Sequence, residues 1–231
     1  MYEQGSQRHF ERAVLSARLV TDALSVLPIK SVADFGCGKG AWLNAWSAKG
    51  AEVVGLDGAW TQGFRADPKW FHLADLSAPV DLGRKSDLAQ SLEVAEHLPA
   101  SAADAFVSTL TRHADVVLFS AAPPFQGGEG HINEQPYEYW REKFAACGYR
   151  MFDFVRPRLV GTGASDWYKC NTFLYVKTGT PMPDAIASTL VSTELRDFAS
   201  MKWKLRKLIV RFLLPKFTWN LIAQRKYSGA R

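Results

Sequence analysis

The sequence lacks the features that mark disulfide-rich, zinc-binding or membrane-spanning proteins. Its 231 residues include three cysteines, which form no CxxC pair and no group with histidines. This argues against a disulfide framework and against a zinc site of common spacing. The first ten residues are polar, and no stretch approaches the roughly 18 apolar residues of a membrane-spanning helix. We therefore expect a cytoplasmic protein without a signal peptide or a spanning segment.

Acidic residues are absent from the C-terminal segment 201–231, which holds nine of the 28 Lys and Arg residues. The first 200 residues therefore carry 19 basic and 23 acidic side chains, so the net charge of +5 originates in the C-terminal segment. An apolar fraction of 47% and a charged fraction of 22% are typical of a globular protein. Disorder and repeat architectures are disfavoured, and the length suits one domain with an appendage.

Hydrophobic periodicity predicts a helix over 7–27, followed by strands and helices in alternation. The predicted strands are 31–35, 52–56, 70–73, 87–94, 115–119, 150–155 and 172–177, and the later predicted helices are 41–48, 102–112 and 137–147. This alternation predicts an α/β fold, a Rossmann-like, doubly wound and mostly parallel seven-stranded sheet with helices on both faces. After Pro181 and Pro183 the pattern becomes purely helical. We therefore expect a domain over 1–180 and a basic helical extension over 181–231.

A run of glycines directly after the first predicted strand is the strongest local pattern. Gly36, Gly38 and Gly40 allow a sharp backbone turn and leave room for a ligand where a side chain would collide. Asp57 ends the second predicted strand, where a carboxylate can accept hydrogen bonds from both ribose hydroxyls of an adenosine. The two features together predict a nucleoside cofactor.

Two classes of nucleoside cofactor fit this spacing. Gly36, Gly38 and Ala41 satisfy the G-x-G-x-x-A form of the dinucleotide fingerprint. Asp34 favours the other class, because a carboxylate repels a pyrophosphate but attracts the ammonium and sulfonium groups of S-adenosylmethionine. The sequence therefore favours S-adenosylmethionine.

Four segments resemble, in chain order, the successive motifs of the class I S-adenosylmethionine-dependent methyltransferases: 34–40, 53–58, 74–76 and 91–98. Two later segments, 127–135 and 167–171, resemble a bacterial branch of that family that acts on sugars and other small molecules. The resemblance covers 31–177 and does not include the basic C-terminal segment. It implies an enzyme with this fold that uses S-adenosylmethionine.

The resemblance implies a cofactor site at the ends of the first four strands, formed by Asp34, Gly36, Gly38, Gly40, Asp57, Gly58, Asp75, Leu76 and Glu93. An ordinary turn or helix cap also explains Asp75, since Asp-Leu-Ser favours both. Glu93, Glu96 and His97 have residue types that bind metals. We expect contact with the cofactor or with solvent instead, and the sequence assigns no metal ligand.

His131 is the predicted general base. Methyl transfer to a hydroxyl requires an aligned acceptor and removal of its proton, for which histidine has a suitable pKa. His131 belongs to a loop after the fifth predicted strand, on the ligand side of the sheet. A histidine that only caps or solvates this loop explains the residue equally well. Tyr137, Trp140 and Phe144 are predicted to pack in the core rather than to bind substrate.

Apolar and basic residues occupy different faces of a predicted helix within 198–222. This pattern is typical of helices that bind an anionic membrane surface, here the inner face of the membrane, where a lipid-linked acceptor would be within reach. A helix packed over the sheet edge would show the same pattern. Nucleic acid is not an expected partner, because no RNA- or DNA-binding module is recognisable.

These observations together predict a methyltransferase that acts on a hydroxyl of a sugar, a glycolipid or another small metabolite. The alternative is a non-catalytic S-adenosylmethionine-binding protein that its basic C-terminal segment recruits to a membrane or a partner. Binding of the cofactor without transfer of its methyl group would distinguish the second from the first.

Overall fold

The structure is a computed structural model that describes residues 2–58, 64–196, 198–199, 201, 204–205 and 208–209, with side chains from residue 10 onward. Seven strands form one sheet in the order β3-β2-β1-β4-β5-β7-β6. The strands are β1 (Ser31–Phe35), β2 (Glu52–Asp57), β3 (Phe71–Leu73), β4 (Leu88–Leu92), β5 (Val116–Ser120), β6 (Tyr149–Phe152) and β7 (Phe173–Lys177). Only β7 runs antiparallel to its neighbours β5 and β6. The predicted sheet is confirmed.

Helices cover both faces of the sheet. They are α1 (Tyr2–Ala23), α2 (Ala41–Ser47), α3 (Ala103–His113), α4 (Tyr137–Ala146), α5 (Arg156–Leu159), α6 (Asp166–Asn171) and α7 (Asp184–Ala187). One buried cluster joins α1, α2, α5, α6 and α7 to the sheet, and a second joins α3 and α4 to it. Tyr137, Trp140 and Phe144 belong to the second cluster, as predicted.

The predicted strand over 150–155 extends too far at its C-terminal end. The strand β6 ends at Phe152, and α5 begins at Arg156. The Arg156 guanidinium donates two hydrogen bonds to the Asp153 carboxylate, at 2.8 and 2.6 Å. This local ion pair closes a turn over residues whose apolar character alone favours a strand.

The expectation of a purely helical chain after Pro183 is wrong for the residues up to 196. Only α7 is helical there, and the chain then runs along the edge of the sheet. Leu190 forms a bridge with Phe152, and the Val191 N–H donates to the Met151 carbonyl. An edge strand has unpaired backbone groups, and this segment satisfies some of those of β6. The domain boundary at 180 remains a prediction.

The predicted basic amphipathic helix lies mostly outside the described residues. Residues 201, 204–205 and 208–209 are described, and they are helical. Their apolar members Met201, Leu205, Leu208 and Ile209 are all exposed. Phe198 differs, since its ring packs against Tyr137 and Phe173. Within the described ranges, no helix has the length and apolar character needed to cross a membrane.

Candidate functional site

The candidate site lies at the carboxyl ends of four neighbouring parallel strands, where doubly wound sheets bind their ligands. The strands β2, β1, β4 and β5 are adjacent in the sheet. Asp57 ends β2, the glycine loop follows β1, Glu93 follows β4, and the loop with His131 follows β5. The topology therefore brings the predicted cofactor residues and the predicted base to one edge.

Asp34 is a buried carboxylate inside β1. Its side chain is 1% exposed, and Oδ2 has no hydrogen-bond partner among the described residues. The pKa of Asp34 is raised to about 8, mainly by burial; the neighbouring Gln90 amide opposes this rise and the charge of Asp57 adds to it. A cation placed beside this carboxylate would replace the missing solvation.

Asp57 is buried and held by the backbone on both sides. Its Oδ2 accepts from the Gly38 N–H and its Oδ1 from the Gly58 N–H, both at 2.7 Å. Burial raises the pKa of Asp57, and these two backbone hydrogen bonds lower it. Each oxygen keeps acceptor capacity for a further donor. The Gly58 N–H thus orients Asp57, the side chain predicted to bind the ribose.

The three glycines of the loop have different physical roles. All adopt positive φ angles, which favour glycine. A Cβ at Gly36 would lie 2.2 Å from a methyl group of Val94, and one at Gly40 would lie 2.5 Å from the Ala66 Cβ. A Cβ at Gly38 would meet no described atom within 4 Å. The protein therefore packs against Gly36 and Gly40, whereas the described residues leave the space beside Gly38 open.

Asp75 and Leu76 follow β3. The exposed Asp75 carboxylate accepts from the Ser77 N–H at 2.9 Å and from the Ser77 hydroxyl at 2.6 Å, and these bonds lower its pKa. The turn that the sequence offered as an alternative is therefore present. Leu76 is buried in the core cluster of α3 and α4. Contact of either residue with the cofactor remains a prediction.

Glu93 has a strained backbone, and its carboxylate has hydrogen-bond donors. Its φ of 58° is unusual for a residue with a side chain. The carboxylate accepts from the Gln126 amide at 2.8 Å and from the Asn171 amide at 3.0 Å. Burial raises its pKa, and these amide bonds lower it. Its predicted contact with the cofactor remains a prediction.

For Glu96 the expectation was contact with the cofactor or with solvent, and contact with solvent is wrong. It lies, as expected, in the turn after β4, within the 3-10 helix Ala95–His97, but it is 0% exposed. Neither carboxylate oxygen has a partner within hydrogen-bond distance and angle in the described part of the chain. Burial raises the pKa of Glu96 well above its usual range and the charge of Glu93 adds to this, whereas the nearby backbone N–H groups of Glu96 and Ala122 lower it.

Glu134 fixes the loop that carries His131. One carboxylate oxygen accepts from the Phe125 N–H at 2.8 Å. The other accepts from the Gly127 N–H at 2.5 Å and lies 2.9 Å from Nδ1 of His131. An Nδ1–H donated to this carboxylate leaves Nε2 of His131 as an acceptor. That Nε2 lies 4.0 Å from Oε1 of Glu96.

His97 lies next to His131 and is exposed. The two rings meet edge to face, with centroids 4.9 Å apart. Burial of part of the ring lowers the pKa of His97, and the His131 charge lowers it further. Gly128 makes room for this arrangement, because a Cβ there would lie 2.2 Å from Nε2 of His131.

The sequence analysis did not assign Gln126, Glu134 or Asn171 to the site. Asn171 donates to both Glu93 and Gln126, and the hydroxyl of Tyr137 in turn donates to Asn171. Glu134 and Asn171 lie in the two segments that resemble the bacterial branch, and Gln126 directly precedes the first of them. Glu93 is 33 positions from Gln126 and 78 from Asn171, so only the fold identifies these two contacts.

No family model and no curated protein matches this sequence. Many solved structures match the fold. DesVI of Streptomyces venezuelae is 16% identical, with a TM-score of 0.56 over 77% of this chain and 97% of its own. CalS10 of Micromonospora echinaspora, an amino pentose methyltransferase solved with S-adenosylmethionine bound, is 17% identical, with a TM-score of 0.53 over the same two shares.

A third neighbour has similar values. The sugar N-methyltransferase KedS8 of Streptoalloteichus sp. is 16% identical, with a TM-score of 0.54 over 77% of this chain and 92% of its own. Sequence identities at this level establish the fold alone. The function has to be inferred from the residues of the site. The chain therefore has the fold of the class I S-adenosylmethionine-dependent methyltransferases, with its candidate site at the carboxyl edge of the sheet.

Proposed function

We propose that the protein is an S-adenosylmethionine-dependent methyltransferase that acts on a hydroxyl of a sugar or another small molecule. The observation that carries the proposal is the buried Asp34 carboxylate next to the glycine loop and the anchored Asp57; its Oδ2 has no hydrogen-bond partner among the described residues. A cation bound beside Asp34 would favour its ionised form and replace the missing solvation. S-adenosylmethionine supplies cationic groups and ribose hydroxyls in one molecule.

The same carboxylate disfavours a dinucleotide. Asp34 is a buried acid two residues before the glycine loop, and its ionised form would repel a pyrophosphate there. Open space beside Gly38 leaves room for the cofactor. Solved neighbours with this fold support a methyltransferase with a sugar acceptor, since CalS10 is described as an amino pentose methyltransferase and KedS8 as a sugar N-methyltransferase. The choice of a hydroxyl as the acceptor group is our own.

In the reaction proposed, Asp34 binds the cationic end of the cofactor and Asp57 accepts from its ribose. When bound, the sulfonium offers an electrophilic methyl group: the acceptor oxygen forms the new O–C bond, and the C–S electron pair stays on sulfur. His131 accepts the proton of the acceptor hydroxyl at Nε2. Glu134 holds the His131 ring through Nδ1 and stabilises the imidazolium that results.

Replacing Asp57 with alanine should weaken the binding of S-adenosylmethionine. The variant loses an acceptor for the ribose hydroxyls and the group that holds the Gly38 and Gly58 amides. Loss of one charged hydrogen bond costs about 1.5–3 kcal/mol, so the Kd should rise roughly 10- to 150-fold. Isothermal titration calorimetry measures this. An unchanged Kd would exclude the ribose role of Asp57.

Replacing His131 with alanine should slow methyl transfer and leave cofactor affinity unchanged. General base catalysis contributes roughly 10²- to 10⁴-fold, which sets the expected loss in rate. The assay uses S-adenosylmethionine with a labelled methyl group and fractionated cell extract, and then identifies the labelled product. Transfer by the variant at the native rate would remove the proposed role of His131. If the native protein binds the cofactor but labels no fraction, the non-catalytic alternative is favoured.

We also propose that the segment 198–222 brings the protein to an anionic membrane surface, although most of it lies outside the described residues. The nine Lys and Arg residues of 201–231 and the exposure of Met201, Leu205, Leu208 and Ile209 support this. Phe198 packs on the domain, so the available apolar face begins at Met201.

Deletion of 201–231 should reduce co-sedimentation with anionic vesicles by at least about tenfold, since each basic residue near the surface contributes about 1 kcal/mol. Neutral vesicles are the control, and calorimetry should give the same affinity for S-adenosylmethionine with and without the segment. Equal sedimentation of the two proteins with anionic vesicles would reject the membrane proposal.

A further inference from the structure

Glu96, His97 and His131 form a cluster where the turn after β4 meets the loop after β5. One oxygen or nitrogen from each residue lies within 4.8 Å of the other two. Nε2 of His131 and Oε1 of Glu96 are 4.0 Å apart. These are the side-chain types that bind divalent transition metals, and they come from two different loops.

The carboxylate of Glu96 has an unmet need for a partner. It is 0% exposed, and no described donor meets hydrogen-bond distance and angle at either oxygen; the Glu96 and Ala122 backbone N–H groups lie near enough only to lower its pKa. Removing a carboxylate from water costs several kcal/mol unless a cation or hydrogen-bond donors replace the water. Glu93 has amide donors from Gln126 and Asn171, so the two neighbouring acids differ in this respect.

The contact of Nδ1 with Glu134 fixes the His131 ring and leaves Nε2 available to an ion. Nδ1 lies 2.9 Å from Glu134, whose carboxylate is held in turn by the Phe125 and Gly127 amides. A carboxylate that receives one histidine N–H and so directs the other nitrogen to an ion is the usual support of a metal-bound histidine. The lack of a side chain at Gly128 leaves space for the ring in this orientation.

We propose that Glu96, His97 and His131 bind one divalent transition-metal ion. The site departs from the expectation from sequence that no metal is bound there. The assignment of the ion's role, though not of the site itself, rests on the proposed methyltransferase function. A bound ion would neutralise Glu96 and would occupy Nε2 of His131, so His131 would be a ligand rather than the base.

The donor set selects the class of ion. Two imidazoles and one carboxylate suit Zn²⁺, Mn²⁺, Fe²⁺, Co²⁺ or Ni²⁺, whereas Mg²⁺ and Ca²⁺ prefer oxygen donors. Bonds of about 2.0–2.2 Å place ligand atoms roughly 3–4 Å apart, so closure on the ion requires side-chain shifts of about 1 Å. His97 is exposed and can move.

Three protein ligands leave at least one coordination position open. An acceptor hydroxyl at that position would have a lowered pKa and would lose its proton to water. The freed oxygen lone pair would then form the bond to the methyl carbon, while the C–S pair stays on sulfur. The ion would thus both place the acceptor and activate it.

The test is a titration of the full-length protein, freed of metal with EDTA, with Co²⁺ alone. We expect one equivalent to bind with visible absorption bands, and Zn²⁺ to displace it. Glu96→Gln and His131→Asn should each weaken binding more than 100-fold, beyond the effect of an outer-shell partner. Glu134→Gln should weaken it roughly 10- to 100-fold.

Matched controls are His72→Asn and Glu129→Gln, which replace an exposed histidine of β3 and an exposed glutamate of the same loop as His131. Both should bind Co²⁺ as the native protein does. His97→Asn changes an exposed ligand and so tests the site even if Glu96→Gln fails to fold. The proposal is overturned if His97→Asn or a folded Glu96→Gln binds Co²⁺ as tightly as the native protein.

The titration contains neither S-adenosylmethionine nor acceptor, so its result is independent of the proposed function. Calorimetry with S-adenosylmethionine is run on the same metal-free protein. Co²⁺ binding without cofactor binding would support the metal site and overturn the methyltransferase proposal. Cofactor binding without Co²⁺ binding would overturn the metal site alone.

Discussion

Replacing Asp34 with asparagine should make the protein more stable at pH 8 and should remove most of its affinity for S-adenosylmethionine. The side chain is fully buried in β1, and burial raises its pKa to about 8. Asparagine has nearly the same shape without the charge. The exchange therefore removes the cost of a buried carboxylate and also its attraction for a cation.

The pH dependence of the stability effect follows from proton binding. Between the usual pKa of 3.8 and the folded pKa of about 8, the native state binds the Asp34 proton and the unfolded state does not. The Asp34 contribution to the free energy of unfolding therefore falls as pH rises through this window and levels off above pH 8. The titratable groups nearby are Asp57, Cys37 and Tyr168, whose pKa values burial raises in each case.

Thermal unfolding of both proteins between pH 5 and pH 9 measures this contribution. The difference in Tm in favour of Asp34→Asn should grow with pH, and a gain of 1 kcal/mol corresponds to roughly 2–4 °C for a chain of this size. Asp22→Asn is the matched control. Asp22 forms an exposed ion pair with Lys49, and such pairs contribute at most about 1 kcal/mol. A constant Tm difference across the range would contradict the assigned role of Asp34.

Calorimetry measures the expected loss of affinity of Asp34→Asn for S-adenosylmethionine. Loss of one partner of a buried charge pair costs about 2–5 kcal/mol, so the Kd for S-adenosylmethionine should rise roughly 30-fold to several thousand-fold. In the native protein the affinity should fall as pH drops below 8, because the cofactor cation then competes with the Asp34 proton. Equal affinity of Asp34→Asn and the native protein would mean that the cation binds elsewhere.

The local pattern around the glycine loop was sufficient to predict its position in the fold. The boundaries of β1 were predicted correctly, because an apolar run that ends at glycines has a clear end. The edge of the sheet that carries the site was also predictable, since alternating strands and helices specify a parallel sheet and its ligand-binding edge.

The burial of Glu96 could not be predicted from the sequence. It lies in a short turn that the sequence indicates is solvated, but the loop after β5 folds over it. The Ile132 and Asn133 N–H groups donate to the Glu96 carbonyl and fix that loop in place. The spacing of apolar residues indicates the type of one helix or strand. It does not indicate which distant loop covers that element.

The contact between Glu93 and Asn171 has the same cause. The two residues are 78 positions apart in the chain, and β7 inserts between β5 and β6 to bring them together. A lone asparagine at the end of a short helix carries no signal of this partner. The network around Glu93 therefore became visible only with the sheet order.

Replacing Gly36 with alanine should destabilise the protein by about 2–5 kcal/mol, and the cause can be separated into two parts. The residue has a φ of 94°, which costs an alanine about 1–2 kcal/mol. Its Cβ would also lie 2.2 Å from a Val94 methyl group, and such overpacking costs about 1–3 kcal/mol. Urea denaturation measures the sum.

Gly50 is the matched control for the backbone part. Its φ is 83°, and a Cβ there would meet no described atom within 4 Å. Gly50→Ala should therefore cost only the strain of about 1–2 kcal/mol. In the double variant Gly36→Ala/Val94→Ala the two methyl contacts are lost and only the residue 94 Cβ remains close, at 3.1 Å, so the two substitutions should couple favourably by about 1–3 kcal/mol. If the destabilisation of the double variant equals the sum of the two single variants, Val94 does not restrict residue 36.

The contact between Gly36 and Val94 should also couple the proposed cofactor site to the proposed metal site. Val94 lies between Glu93 and Glu96 in the chain, so a Gly36→Ala variant that pushes Val94 away also displaces the turn that presents Glu96. We expect the single variant to lose affinity for both S-adenosylmethionine and Co²⁺, whereas Gly50→Ala should change neither. Partial recovery of both affinities in the double variant would locate the coupling at this contact, because no other substitution distinguishes the two proteins.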